Sequence, residues 1–347
     1  MIYKNVQALR ALAANGVLLS HILSVEQKYG AGFTVLSGNV HFGAIGVDLF
    51  FVISGFIMAA LANNATWDKF LINRATRIYP PYWFYTTIVL IVSLIAPSMV
   101  NSSYDHAPSL WKSYLLIPDT VMPLLAVGWT LIHEMYFYLV FAFILFASRA
   151  VKLPLIAWIG VWAIEIITFN LSSTVTFTQP ILLLITHPFT LEFILGVCVG
   201  MIIRERAFVQ ISFIIGCIIL FISALYIPPA FTFDIDVKDL RHVCLFGIPC
   251  ALLVLMALKL EMKTIFISPN WLVELGNASY STYLAHVLVI SAIGRVFLAL
   301  PYHSTFYEIL FVLVCMVAPN MVGLFSYRFI ELPMQSRLRT AITKLRQ

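Results

Sequence analysis

The sequence predicts an all-α membrane protein with about ten transmembrane helices. Hydrophobic residues make up 61% of its 347 residues and charged residues only 11%, which is far from the balance of a soluble domain. The apolar runs are about 17 to 25 residues long, the length at which an α-helix crosses a hydrocarbon core of about 30 Å. They lack the alternation of apolar and polar residues that is typical of barrel strands.

Ten apolar segments account for the predicted helices. They are Val6–Leu23, Val40–Leu61, Pro80–Ala96, Val127–Ala147, Leu153–Asn170, Ile181–Ile203, Ile211–Ile227, Val243–Leu258, Leu275–Leu298 and Phe306–Ile330. The first follows a lysine as a signal peptide does, but Arg10 interrupts it and no small-residue cleavage site follows. We expect it to remain as a helix, and residues 1–347 to form one integral-membrane domain without a separate soluble domain.

The basic residues predict the orientation, because Lys and Arg concentrate in cytoplasmic loops. With the amino terminus inside, 16 of the 21 lysines and arginines fall in cytoplasmic stretches. Ten helices then place both termini in the cytoplasm. The formal net charge of +5 follows from this asymmetry, so membrane lipids are the expected partner and nucleic acid is not.

The five cysteines indicate core packing. All lie within apolar segments, without paired two-residue spacing and without a cluster of histidines, so neither disulfides nor a metal site is expected. They are Cys198, Cys217, Cys244, Cys250 and Cys315.

Arg10 and His21 are the first indication of function. They lie eleven residues apart in the first apolar segment, so an α-helix presents them on one face about 16 Å apart along its axis. Ionisable side chains inside a bilayer are costly and mark functional sites. The spacing places Arg10 near the cytoplasmic surface and His21 near mid-depth.

Further ionisable residues are predicted to lie at the depth of His21. Counting 1.5 Å per residue from the segment ends brings Asp48 and Glu134 to that level, and Glu192 and His286 near the middle of their helices. We therefore predict a buried cluster of His21, Asp48 and Glu134, which His286 could join. For Glu192 and His286, hydrogen bonding to a neighbouring helix is the alternative interpretation.

Arginines form a second predicted group. Arg74 and Arg77 are spaced to share a helical face, and Arg10 is close to the same predicted surface. Guanidinium groups bind phosphate oxygens in bidentate fashion, so the three suit a polyphosphorylated ligand at a cavity mouth. The alternative is that they only set topology or extend to the interface. Pro80 and Pro81 are expected to break the chain ahead of the third helix.

The segments Gln7-Ala8-Leu9-Arg10, Gly46–Phe56 and Ser279–His286 are three of several motifs. Together they resemble the acyltransferase-3 family of bacterial membrane acyltransferases, and the resemblance spans nearly the whole chain. The most specific are Gln7-Ala8-Leu9-Arg10 followed by His21, and Gly46-Val47-Asp48-Leu49-Phe50-Phe51-Val52-Ile53-Ser54-Gly55-Phe56. Further matches are Arg74-Ala75-Thr76-Arg77-Ile78-Tyr79-Pro80, Gly128-Trp129-Thr130-Leu131 with Glu134, Leu191-Glu192-Phe193, Ser279–His286 and Glu331-Leu332-Pro333. The Gly128 and Leu191 motifs are most similar to the exopolysaccharide O-acetyltransferase branch. His133 and Asn15 depart from the pattern.

The resemblance implies transfer of an acyl group, usually acetyl, from acetyl-coenzyme A to a hydroxyl of a sugar or lipid-linked glycan at the bacterial inner membrane. Polysaccharide-assembly proteins are then candidate partners. Arg10, Arg74 and Arg77 are expected to hold the diphosphate and 3′-phosphate of coenzyme A.

His21 is the expected base for the acceptor hydroxyl, or the carrier of the acyl group, and a carboxylate of Asp48 or Glu134 is expected to orient it. Direct transfer and an acyl-histidine intermediate both remain open. Further candidates for acceptor contact or support are Glu192, Ser281, Tyr283 and His286.

Two other classes of function remain compatible with the residues. Buried carboxylates and histidines also suit a proton-coupled transporter, although no inverted repeat with interrupted helices is visible. A polysaccharide-assembly scaffold without chemistry is the third class.

Overall fold

A computed structural model describes residues 3–29, 45–62, 66–97, 100, 107–172, 179–226, 240–298 and 305–345. Every regular element in these ranges is a helix and none is a strand, which confirms the predicted all-α fold. Residues 40–44, at the start of the second predicted segment, lie outside the described ranges.

Fifteen α-helices occur in the described residues. They are α1 (Lys4–Tyr29), α2 (Ile45–Ala62), α3 (Trp67–Ile95), α4 (Leu110–Leu115), α5 (Gly128–Val151), α6 (Leu155–Ser172), α7 (Pro180–Ile185), α8 (Phe189–Ile202), α9 (Ala207–Tyr226), α10 (Leu240–His242), α11 (Ile248–Met262), α12 (Asn270–Asn277), α13 (Ser279–Leu298), α14 (Thr305–Ser326) and α15 (Leu332–Leu345). Two π-helical turns join α10 to α11 (Val243–Gly247) and α14 to α15 (Tyr327–Glu331).

The helices that can cross a membrane match the predicted segments. Within the described ranges, eight segments are long and apolar enough to span a bilayer, and two shorter apolar helices, Leu155–Thr168 and Ala207–Ser223, occupy the positions of the fifth and seventh predicted segments. The chain is therefore a multi-pass membrane protein. The eight long segments are Lys4–Val25, Ile45–Ala62, Trp67–Ile95, Gly128–Val151, Pro180–Ile202, Leu240–Met262, Ser279–Phe297 and Phe306–Ile342.

Helix α3 corrects one prediction. It continues through Pro80 and Pro81, so the two prolines do not separate Arg74 and Arg77 from the membrane-spanning part of the helix. Each proline removes one backbone hydrogen bond, but membrane helices tolerate this loss where neighbouring groups supply polar partners. The Tyr280 hydroxyl donates to the carbonyl oxygen of Ile78 at 2.8 Å, next to the carbonyls of Thr76 and Arg77, which lose their helical donors at the two prolines.

Close packing holds α2 against α8. The two helices make the most extensive helix pair in the described chain. A Cβ at Gly55 would overlap the backbone of Phe193, and a Cβ at Gly196 would overlap the backbone of Val52. Glycines of this kind let membrane helices approach each other closely. The pairing fixes the rotation of α2, so that its opposite face is left to line a cavity.

A carboxylate from α11 holds the start of α1. The side chain of Glu261 accepts hydrogen bonds from the backbone N–H groups of Lys4 and Asn5, at 2.8 and 2.7 Å. The first N–H groups of a helix have no partner within the helix, and a negative charge there also favours the helix dipole. This contact anchors the helix that carries Arg10 and His21.

Candidate active site

Arg10, Arg74 and Arg77 meet where two cavities join. The inner cavity, with about 750 Å³ of empty space, lies between α1, α2, α3, α5 and α13, and its lining extends from these arginines to Val47. The outer cavity, with about 1130 Å³ of empty space that includes its open mouth, is lined by the same three arginines and reaches α15. The structure thus brings together the three arginines that the sequence grouped, from two different helices.

The two cavities form one passage along α2. The inner cavity is lined from Val47 to Ile57 and the outer cavity from Phe56 to Leu61. At 1.5 Å per residue the passage runs for about 21 Å, and its inner part is about 15 Å deep. An extended ligand therefore fits along it with its charged portion at the arginines.

Neighbouring aromatic rings stabilise the positive charge of the buried Arg74. Arg10 and Arg74 are 7% and 9% exposed. The Arg74 guanidinium carbon lies 5.9 Å from the ring centre of Phe70 and 5.8 Å from that of Tyr138, which stabilises a buried cation. Its Nε has no hydrogen-bond partner within the described residues. Such a donor can serve a ligand.

Glu134 lies in the wall of the inner cavity. Its carboxylate accepts hydrogen bonds from the Ser54 hydroxyl at 3.1 Å and from the Tyr138 hydroxyl, and it is close enough to interact electrostatically with Arg10. The structure therefore places this predicted catalytic residue with the arginines.

His21 is paired with His286. The Nδ1 atom of His21 lies 3.0 Å from the carbonyl oxygen of Val17 and 3.3 Å from Nε2 of His286. The Nδ1 atom of His286 faces the carbonyl oxygen of Tyr283. A carbonyl can only accept, so the network assigns a hydrogen to Nδ1 of each neutral ring. The single Nδ1 hydrogen of His21 is then shared between the Val17 carbonyl at 3.0 Å and His286 Nε2 at 3.3 Å, and the lone pair of His21 is on Nε2.

The histidine pair adjoins the deep end of the inner cavity. Tyr283 lines this cavity, and its ring centre lies 5.5 Å from that of His286. On α1, Val17 packs against the start of α2 beside Val47, and His21 follows one turn later, about 6 Å along the helix. The pair is thus separated from the arginines by nearly the length of the inner cavity.

Asp48 and Glu192 form a different group. Both are 0% exposed, and they meet His242, whose Nε2 lies 2.9 Å from Asp48 Oδ1 and 4.0 Å from Glu192 Oε1. One ligand atom from each of the three residues lies within 4.8 Å of the others. Carboxylate and imidazole ligands at this spacing could hold a divalent metal ion. We call these three residues the carboxylate–histidine cluster.

The structure therefore distributes the predicted buried cluster over three places. His21 is beside His286, Glu134 is beside the arginines, and Asp48 is in the carboxylate–histidine cluster. The partner found for His21 is a histidine in place of the expected carboxylate. Counting along a helix gives the depth of a side chain, but it does not tell which neighbouring helix that side chain faces.

The sequence analysis missed two residues of these sites, His242 and Glu331, because each lies just outside a predicted transmembrane segment. His242 stands one residue before the eighth predicted segment, and Glu331 stands one residue after the tenth. Glu331 lines the outer cavity and accepts hydrogen bonds from Ser281 at 2.6 Å and Gln335 at 3.1 Å. Each lies next to or within a π-helical turn, a feature that often marks functional positions. The Glu331-Leu332-Pro333 motif was the available signal.

A short segment outside the membrane spans connects α4 with α5. Lys112 donates to Asp119 Oδ1 at 2.9 Å, and the Thr120 N–H donates to the same oxygen at 2.9 Å. The hydrogen bond from Lys112, together with that from Thr120, holds the pKa of Asp119 below its usual value. The contact fixes the segment that leads to the deep end of the inner cavity.

The fold and the cavities define a multi-pass membrane protein in which two cavities meet at three arginines. A family model described as an acyltransferase domain matches residues 3–323. The chain therefore belongs to the acyltransferase-3 family, as its motifs predict, and is a membrane acyltransferase.

Two curated relatives extend the comparison. The exopolysaccharide production protein ExoZ of Rhizobium meliloti (strain 1021) is 31% identical over 326 residues, which cover 92% of this chain and 95% of that protein. The acyltransferase MdmB of Streptomyces mycarofaciens is 26% identical over 313 residues, covering 81% of this chain and 77% of that protein. No solved structure matches significantly.

Proposed function

We propose that this protein is a bacterial inner-membrane O-acyltransferase that moves an acetyl group from cytoplasmic acetyl-coenzyme A to a hydroxyl of an exopolysaccharide or another cell-surface glycan. The observation that carries the proposal is the meeting of the two cavities at Arg10, Arg74 and Arg77. The similarity to a relative named for exopolysaccharide production supports a glycan acceptor. Membership of an acyltransferase family favours this function over the transporter and scaffold alternatives.

The shape of the passage suits the donor. Coenzyme A has a flexible pantetheine arm between its diphosphate and its thiol. With the diphosphate held by the three arginines, the arm enters the inner cavity, which is about 15 Å deep. The thioester then approaches the deep end, beside Tyr283 and the histidine pair.

His21 acts as the general base in this proposal. Its Nε2 takes the proton of the acceptor hydroxyl while the hydroxyl oxygen attacks the thioester carbonyl. The tetrahedral intermediate expels the coenzyme A thiolate, which takes the proton back from His21. His286 positions the ring by accepting a hydrogen bond from its Nδ1, the part that a carboxylate takes in many catalytic triads.

The two remaining predicted residues support the site. Glu134 fixes Ser54 and Tyr138 and offsets the positive charge of the arginines. Asp48 is on the side of α2 that faces α8, where the carboxylate–histidine cluster holds the helices behind the cavity. Loss of Glu134 is expected to weaken donor binding, and loss of Asp48 to weaken helix packing, without removing the base in either case.

Release of coenzyme A thiol from acetyl-coenzyme A tests the base. With purified protein and deacetylated exopolysaccharide as acceptor, His21→Ala is expected to lower the rate by about 10²- to 10⁴-fold. Its affinity for coenzyme A, measured by calorimetry, should stay at the wild-type value. His187→Ala, which removes a histidine outside the His21–His286 pair that packs against His133 and Phe189, is the matched control. A folded His21→Ala protein with wild-type thiol release would overturn the assignment.

The same preparation distinguishes the two routes. We propose direct transfer, which predicts that acetyl-coenzyme A without acceptor leaves the protein mass unchanged. An acetyl-histidine intermediate uses the same Nε2 atom and would add one acetyl group to the intact mass. Detection of that adduct on wild type, and its absence from His21→Ala, would replace direct transfer by the two-step route.

A further inference from the structure

The wall of the outer cavity contains a fourth arginine. Arg339, on α15, lines this cavity together with Arg10, Arg74 and Arg77. Unlike those three, it does not line the inner cavity. Its side chain is exposed, so it is accessible from the open end of the passage.

The order of groups along coenzyme A indicates which phosphate lies at the junction of the cavities and which lies in the outer cavity. The diphosphate lies between the pantetheine arm and the nucleoside, and the 3′-phosphate is on the ribose, at the nucleoside end. If the arm occupies the inner cavity and the diphosphate the junction, the nucleoside must occupy the outer cavity. The 3′-phosphate then lies beyond the junction, on the side where Arg339 is found.

We propose that the outer cavity is the nucleotide subsite and that Arg339 binds the 3′-phosphate, so that the protein selects coenzyme A over 3′-dephospho-coenzyme A. This inference rests on the proposed function. It changes the expectation from the sequence, in which Arg10, Arg74 and Arg77 held all the phosphates. The three junction arginines bind the diphosphate, and Arg339 on α15 binds the 3′-phosphate at the nucleoside end.

The lining of the outer cavity fits this occupant. Its charged side chains are four arginines and one carboxylate, Glu331, which already accepts hydrogen bonds from Ser281 and Gln335. The balance favours an anion with more than one phosphate. Tyr3 and Tyr327 also line the cavity, and aromatic rings offer stacking surfaces for a base. A guanidinium fork matches the oxygens of a terminal phosphate.

Calorimetric titration of the purified full-length protein tests the proposal without a glycan acceptor. The two probes are coenzyme A and 3′-dephospho-coenzyme A. Wild type is expected to bind coenzyme A about 10- to 100-fold more tightly, as one charge-assisted phosphate contact implies. Arg339→Gln should remove this preference by weakening coenzyme A binding alone. Its unchanged affinity for the dephospho form shows that the variant is folded.

Arg337→Gln is the matched control. Arg337 is an exposed arginine of the same helix that does not line the outer cavity, so its replacement should leave the preference intact. Equal binding of both probes by wild type, full discrimination by Arg339→Gln, or an equal weakening of both probes in that variant would each overturn the inference. If wild type binds neither probe, the proposed donor itself is refuted, which is a distinguishable result.

Discussion

Two regions of this protein bury charged side chains in different ways. At the junction of the cavities, Arg10, Arg74 and Arg77 surround open space. In the carboxylate–histidine cluster, Asp48 and Glu192 are fully buried and lie against His242. Both regions contain the costly ionisable groups that mark functional sites in membranes. The arginines line open cavities, whereas the side chains of the cluster lie against one another.

Buried charged side chains that line a cavity and those that pack against each other are expected to have different roles. Charges that line a cavity can be compensated by a charged ligand, so their removal should weaken binding. Polar side chains that are buried against each other depend on one another as partners, so removal of one leaves the others buried without it and should weaken the fold. Three substitutions test this distinction.

The largest effect is expected in the carboxylate–histidine cluster. Asp48→Ala should lower the free energy of unfolding by about 3–5 kcal/mol, because it removes one member of a buried charged group. Denaturant unfolding in detergent measures this change. Glu274→Ala is the exposed control, since Glu274 pairs with Arg328 at 3.0 Å with both side chains about 60% exposed, and should cost about 0–1 kcal/mol.

Coenzyme A binding provides the second half of that test. The folded fraction of Asp48→Ala should bind coenzyme A as wild type does. If Asp48→Ala is as stable as Glu274→Ala but loses coenzyme A binding, Asp48 belongs with the ligand site and the distinction between the two regions disappears.

The next effect is expected at the junction. Arg74→Ala should weaken coenzyme A binding by about 10- to 100-fold, the value of a charge-assisted hydrogen bond of about 1.5–3 kcal/mol. The unfolding free energy should change much less than in Asp48→Ala. Calorimetry measures the affinity, and Arg206→Ala, an exposed arginine that lines neither cavity, is the control. Unchanged affinity in Arg74→Ala would leave the arginines with a topological role only.

The smallest effect is expected for the ion pair outside the membrane spans, between Lys112 and Asp119. The pKa of Asp119 is lowered in the folded protein, so the pair stabilises the fold above the ordinary aspartate pKa of about 4 and loses this effect as the pH falls through the lowered value. Asp119→Asn should cost about 0.2–1 kcal/mol at neutral pH.

The pH series supplies the control for this pair. The difference in thermal unfolding between wild type and Asp119→Asn should shrink as the medium becomes acidic. A difference that persists unchanged in acid would show that the ionised carboxylate is not its origin.

Parts of the site were predictable because they depend on local geometry. Arg10 and His21 share a helix, and Arg74 and Arg77 share another, so the helical period sets each relationship directly. The grouping of Arg10 with Arg74 and Arg77 also succeeded, since all three lie near one end of their helices. The partners of His21 and Asp48 could not be predicted in this way, because His286 and His242 are more than 190 residues away in the chain.

The sequence alone predicted which segments are long and apolar enough to enter a membrane and which ionisable residues lie along them. These properties follow from hydropathy and from the rise per residue of a helix. The tertiary structure decided which buried groups face each other and which face a cavity. That choice depends on how each helix is rotated about its axis, which contacts such as those of Gly55 and Gly196 between α2 and α8 set.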